Sequence, residues 1–174
     1  ETVSLSLTQN QNHHEFSVTP TLGTDEIYHY RTKITPHYDA PRKAPQNDND
    51  NNNNKDSISY EISAIGFKQR TSRRLVDVPY CHIATEPINQ HLTTVRQEKH
   101  HQARTGQLKR PKRGATLLLR EADDGLVVTD HNTYVNATVE GLQFRFLAGN
   151  FFQNNPYMLP YMVQCVVGAA TKPV

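Results

Sequence analysis

No run of eighteen or more apolar residues occurs in this sequence, so no stretch of it reads as a membrane-spanning helix. No basic-then-apolar leader occurs at its start either, so nothing in it marks it for secretion and an intracellular protein is expected. The chain begins at Glu1 rather than Met, which suggests an excised piece of something longer. Cysteine is scarce. Cys81 and Cys165 are too few for a four-thiolate metal site, and neither lies in a CxxC pair or in the Cys/His spacing of a zinc site. Both are expected as free thiols, since a reducing interior disfavours a disulfide between them. There is no Gly-x-Gly-x-x-Gly loop to cradle a nucleoside cofactor, and no internal repeat that would mark a solenoid.

What is present is a modest apolar fraction and an uneven charge. Hydrophobic residues make up 36% of the chain and charged residues 21%, which suits one domain or two small ones. The net charge is only +2, yet residues 66–113 carry eleven Lys or Arg against Asp77, Glu86 and Glu98, a net of +8 that leaves the remainder at −6. That asymmetry is the electrostatic footprint of a polyanion partner, with a merely solvated basic surface as the alternative.

Patterning predicts an α+β fold: a largely antiparallel sheet with one or two flanking helices. Val3, Leu5 and Leu7 alternate with polar residues, as an edge strand does, ahead of the polar run Thr8 to His14. Ile27 to His37 reads as a strand with a basic and an apolar face, limited by Pro36. Residues 40–57, APRKAPQNDNDNNNNKDS, have no apolar periodicity and are expected to be a disordered loop at a hairpin tip. Ile58 to Gln69 and Arg73 to Val78 follow as strands around an Arg70-Thr71-Ser72 turn. Thr85-Glu86-Pro87 has the form of a helix start, with Ile88, Leu92 and Val95 as the buried stripe, an exposed second half and Gly106 as the stop. ATLLLREA and Gly125 to His131 read as strands around the acidic turn Asp123-Asp124-Gly125. Leu142, Phe144 and Phe146 form one more, and Pro156 to Val167 is an apolar helix kinked or shortened by Pro160.

Three constellations carry chemistry. Tyr30, Arg31 and Lys33 with Phe67, Lys68, Arg70, Arg73 and Arg74 put cations beside an aromatic, suited to holding phosphates and stacking a base. The competing reading has Phe67 in the core and the arginines on a solvated hairpin tip. Lys109, Arg110, Lys112 and Arg113 form a basic run that attracts nucleic acid without specificity. AGNFFQNN, Ala148 to Asn155, turns abruptly from phenylalanine to amides before a helix. Gln153 could present donor and acceptor to a uracil edge or a cofactor carboxylate. Alternatively Asn154 or Asn155 caps the helix while Phe151 and Phe152 fill the core. The adjacent pairs His13/His14 and His100/His101 read as surface imidazoles rather than metal ligands.

Taken in order, YRTKITPH, IGFKQRTSRRLVDVPYCHIAT, GATLLLRE, VTDH and AGNFFQNN resemble the RNA (uracil-C5)-methyltransferases, most of all the fungal and related eukaryotic tRNA enzymes, over about residues 27–167. The resemblance implies S-adenosyl-L-methionine as cofactor and a cysteine thiolate that adds to carbon 6 of a flipped-out uracil. It places the Gly-rich cofactor loop, the nucleophile and the general base downstream, so no catalytic residue is expected in this chain, and the doubly wound catalytic domain is missing from it. Gln153 falls on the family's glutamine that contacts cofactor and base, and Phe67 falls near a phenylalanine that packs against RNA. Cys81 sits where iron–sulfur relatives place one cluster ligand, without the partner cysteines. The implied organisation is an N-terminal strand and linker (1–26), an RNA-positioning α+β region (27–147) and the start of the methyltransferase domain (148–174). The implied partner is tRNA, with the T-loop uracil as target, or ribosomal RNA, bound by a monomer that is inactive by itself. A non-catalytic RNA-binding module is the alternative, and a structural interaction protein the third reading.

Overall fold

The structure is a computed structural model that describes residues 3–5, 16–18, 20–44, 60–108 and 114–171. The basic run at 109–113, His13/His14 and positions 45–57 of the Asn-rich stretch lie outside the described residues.

Thirteen short strands and two helices appear among the described residues, and every pairing between named strands is antiparallel. Strands β1 (Val3–Leu5) and β2 (Phe16–Val18) pair with each other. The predicted strand over Ile27 to His37 is two: β3 (Lys33–Ile34) and β4 (His37–Tyr38), which run in different sheets. The break falls at the buried Pro36, which has no N–H for a ladder but whose carbonyl still accepts from Leu117 N–H at 2.8 Å. The start of the Asn-rich stretch is not loop throughout, since β5 (Arg42–Lys43) pairs with β6 (Tyr60–Glu61) at its base.

Strand β7 (Ile65–Lys68) pairs with β4 and with β8 (Leu75–Asp77), and β9 (Ala115–Thr116) completes a four-stranded sheet in the order β8-β7-β4-β9. A second sheet runs β11 (Val127–Val128), β10 (Leu119–Glu121), β3. The third is a hairpin of β12 (Tyr134–Val139) and β13 (Leu142–Leu147), whose two-residue turn has Glu140 and Gly141 at φ +49° and +77°, the primed geometry that matches strand twist. Strand β12 was not legible in YVNATV, where alternation is weak.

Helix α1 (Glu86–Arg104) follows the sequence expectation closely: Pro87 lies in the first turn, and Ile88, Leu92 and Val95 are buried. Gly106 follows at φ +71°. Thr85 stands at the N-cap but makes no capping hydrogen bond. The helix packs Ile88 and Leu92 with Ile34, Ala84 and Leu119, so it joins β3 and β10; a second cluster gathers Tyr38, Ile62, Ile65, Ala103 and Leu108. Helix α2 (Leu159–Ala170) starts later than predicted. Pro160 sits in its first turn, where its missing N–H costs nothing, rather than kinking it. From Tyr161 onward the residues of α2 are exposed. No described helix is long and apolar enough to cross a membrane.

Candidate nucleic-acid interface

Segment 148–155 is held by its backbone. Where β13 ends, Ala148 is fully buried against Leu118 and Val135. Its carbonyl accepts from Arg120 Nε at 2.9 Å, and the Asn150 carbonyl accepts from Arg120 Nη2 at 3.1 Å. Lys33 Nζ donates to the carbonyls of Gly149 and Asn150 at 3.0 and 3.1 Å. Three consecutive carbonyls are therefore gripped by two cations carried on β3 and β10. Gly149 is needed there, because a Cβ at that position would crowd the His131 ring at 2.9 Å. Farther along, Thr32 N–H and Thr32 Oγ1 both donate to the Asn154 carbonyl, at 2.9 and 3.2 Å.

Burial lowers the Arg120 pKa to about 10, and burial together with the neighbouring Arg120 charge lowers that of Lys33. The Arg120 guanidinium also lies over the Phe146 ring, 5.1 Å from its centroid. Phe146 in turn stacks on Phe152 at 4.3 Å and 13°. Phe152 is thus packed as the plainer reading expected, whereas Phe151 is 87% exposed and is not core.

Gln153 turns its amide onto its own segment. Its Oε1 accepts from Asn154 N–H at 2.8 Å and from Asn155 N–H at 3.4 Å, and its Nε2 reaches only the Met162 sulfur, at 3.4 Å. Asn155 Oδ1 accepts from the N–H groups of Tyr157 and Met158, so Asn155 closes the turn that precedes α2. Asn154 Oδ1 is buried without a partner.

Of the strand-borne cations, Arg31 and Lys33 are half-buried and bonded to backbone; Arg31 Nε donates to the Lys33 carbonyl at 2.9 Å. Phe67 is partly buried against the cluster that contains Ile34. Lys68, Arg70, Arg73 and Arg74 are exposed and come together at the tip of the β7–β8 hairpin. That tip is closed by Gln69 N–H to the Arg74 carbonyl at 2.9 Å and by Ser72 Oγ to Gln69 Oε1 at 3.1 Å. Among the described residues the salt bridge found is Arg96 to Asp77, at 2.8 Å, so the tip cations are not neutralised by carboxylates.

The buried residues that matter most here, Arg120 and Asn89, were not singled out in the sequence. Asn89 is 2% exposed and brackets Cys81, accepting from its N–H at 2.8 Å and donating to its carbonyl at 3.1 Å. An Asn one turn inside an apolar helical stripe was the available signal. Cys81 and Cys165 are both free thiols, and no group of three or more His, Cys, Asp or Glu is gathered for a metal among the described residues.

Comparison with known proteins finds curated relatives of the family that the sequence resembles. The chain is 35% identical over 147 residues to a tRNA (uracil(54)-C(5))-methyltransferase of Schizosaccharomyces pombe, covering 82% of this chain and 24% of that protein. It is 28% identical over 196 residues to the Saccharomyces cerevisiae protein of the same name, covering 84% of this chain and 28% of that one. No family model matches, and no solved structure matches. The chain spans about a quarter of the length of these curated relatives, and over most of its own length it is their homologue, a relative of the tRNA (uracil-C5)-methyltransferases.

Proposed function

We propose that this chain is the RNA-positioning part of an S-adenosyl-L-methionine-dependent tRNA (uracil-C5)-methyltransferase that makes 5-methyluridine, with the T-loop uracil as target. The carrying observation is the pairing of two features: four exposed cations on the β7–β8 tip with no carboxylate in ion-pair distance among the described residues, and the segment after β13 held at 148–150 by Arg120 and Lys33. Cations that take phosphates fix register without reading sequence, while a backbone-anchored turn fixes where its side chains point.

The donor set here fits only one edge of the cofactor. Gln153 is the candidate contact, because its Nε2 holds nothing stronger than a thioether and is redirected at little cost. S-adenosyl-L-methionine supplies the methyl group when bound. The chain's own residues orient: Phe151 offers an exposed ring for a base to stack on, Gln153 an amide to align its edge, and the cations at 68–74 a seat for the backbone. On this reading the chain alone transfers no methyl group, because the resemblance puts the nucleophilic cysteine and the general base outside it and neither Cys81 nor Cys165 falls on that position.

The test is binding of an unmodified tRNA transcript to the chain across a salt series, with methyl transfer from labelled S-adenosyl-L-methionine assayed on the same sample. Salt-sensitive binding without product is expected. Absence of salt-dependent binding overturns the positioning role, and product overturns the inactivity. A methyltransferase domain encoded directly downstream of this segment in the parent gene would decide against the alternative of a non-catalytic RNA-binding module.

A further inference from the structure

Helix α1 presents a second working face. Opposite Ile88 and Leu92, residues Thr93, Arg96, Gln97, His100, His101 and Arg104 line, with Pro79, a groove of about 410 Å³. They recur every three to four residues, so they form one stripe along the helix, ~16 Å long at 1.5 Å per residue. Arg96 is the stripe's fixed point: it pairs with Asp77 on β8 and donates to the Ile65 carbonyl. Arg104 and His101 are exposed, and no carboxylate lies within ion-pair distance of either among the described residues. None of these positions belongs to the hairpin tip or to segment 148–155.

We propose that this groove is a second seat for the RNA phosphate backbone, with Arg104 and His101 donating to phosphate oxygens and His100 joining them when protonated. The inference rests on the RNA-positioning reading and assigns it a surface that the basic hairpin does not include. Charge, length and composition favour a polyphosphate chain. The lining holds Arg104, His101 and His100, none within ion-pair distance of a carboxylate among the described residues, no aromatic ring outside the imidazoles to read a base, and enough length for successive phosphates rather than one ion. His100 adds a pH response. Burial, then the charges of Arg96 and Arg104, lower the His100 pKa, with Asp77 opposing them from β8. A phosphate entering the groove reverses that balance, so binding takes up a proton and tightens as pH falls.

The experiment measures affinity of the 174-residue chain for an unmodified tRNA transcript at about pH 6 and about pH 7.5, between roughly 50 and 200 mM salt. Arg104→Gln with His101→Gln is expected to weaken binding about tenfold at low salt and to reduce the log–log salt slope by about one. Gln97→Glu, which adds a negative charge to the groove at an exposed helical position and removes no bond, is expected to weaken it in the same direction. His100→Gln is expected to abolish the tightening at low pH. Lys43→Gln, an exposed cation on β5, serves as the equal-charge control and is expected to change binding less than twofold. If the wild-type chain binds tRNA with salt dependence but the Arg104/His101 and Gln97 variants match it in affinity and slope, the groove is not a phosphate seat and the positioning reading survives. If the wild-type chain shows no salt-dependent binding at all, that reading fails with it.

Discussion

Lys33 and Arg120 are register partners across β3 and β10, two cations placed directly opposite one another; Arg120 donates to the carbonyls of Ala148 and Asn150 and Lys33 to those of Gly149 and Asn150, so they meet at Asn150. Like charges facing each other across a ladder repel, and a buried guanidinium without a carboxylate is costly. Aligned carbonyl dipoles offset both effects. The sheet is thereby tied to the segment that carries Phe151 and Gln153.

Arg120→Met is expected to destabilise the chain by ~2–4 kcal/mol, because the carbonyls of Ala148 and Asn150 lose charge-assisted partners in a buried setting. Arg120→Lys is expected to restore less than half, since one ammonium cannot reproduce the two-pronged geometry. Urea unfolding measures both, and a loss under ~1 kcal/mol for the Met variant would show that the segment holds its place without Arg120.

Replacing Lys68, Arg70, Arg73 and Arg74 by Gln is expected to reduce the salt slope of tRNA binding by roughly two to four while leaving the unfolding midpoint nearly unchanged, because these side chains are exposed and unpaired with carboxylates. An unchanged slope would mark the hairpin tip as solvated surface. The basic run Lys109, Arg110, Lys112 and Arg113 is expected to act in the same direction by charge alone.

In an enzyme of the relatives' length that carries this segment, Gln153→Ala is expected to lower methylation on the order of 10²-fold with RNA affinity nearly intact, since misplacement of reacting groups is felt in turnover and phosphate contacts dominate binding. Gln153→Glu is expected to fail as well, because it loses the amide donor and adds a negative charge. Single-turnover rates and equilibrium binding together decide this. Near-normal turnover in both variants would leave Gln153 as a residue that only shapes the turn before α2.

Burial alone would raise the Asp77 pKa. Hydrogen bonds from Arg96 and from Ile65 N–H (2.8 Å), with the charges of Arg96 and His100, more than reverse this and hold the carboxylate below the usual range. A depressed carboxylate contributes stability above its unfolded pKa, and that contribution is lost as pH falls through the folded value. Stability is therefore expected to drop below about pH 4, and Asp77→Asn to remove that part of the acid response at a cost of roughly 1 kcal/mol near neutrality. Unfolding curves taken at several acid pH values check it; an identical acid response in the variant would assign the loss to other carboxylates.

Gly66 sits in β7 where a Cβ would run into the Val76 carbonyl oxygen on β8 and crowd Val78 N at 2.8 Å. Gly66→Ala is expected to cost about 3 kcal/mol by forcing the two strands apart. A thermal midpoint within about 2 °C of the wild type would show that the pair yields without penalty.

Helix α1 was legible in the sequence because its signals are local and agree with one another: Pro87 in the first turn, Ile88, Leu92 and Val95 one turn apart, and Gly106 at the end. The β7–β8 hairpin was legible for the same reason, through polar turn residues between two β-forming runs. The Ile27 to His37 stretch misled because Pro36 divides between two sheets what reads as one strand, and the partners of β3 and β4 lie at 119–120 and at 65–66 and 115–116, beyond any local window. The inward turn of the Gln153 amide, the exposure of Phe151 and the burial of Arg120 have no periodic signature.

By itself, then, the sequence determined the α+β class, the antiparallel character, the first helix, the uneven charge and the likeness to the two yeast methyltransferases. Those properties are set by neighbours along the chain or by composition. Only the tertiary structure decided that Lys33 and Arg120 together hold the carbonyls of 148–150, that Thr32 holds Asn154, and that Thr93, Arg96, Gln97, His100, His101 and Arg104 line one groove with Pro79. Bonds between residues from about thirty to more than a hundred positions apart depend on strand register and on which side chains burial leaves without water, and neither quantity is written in local pattern.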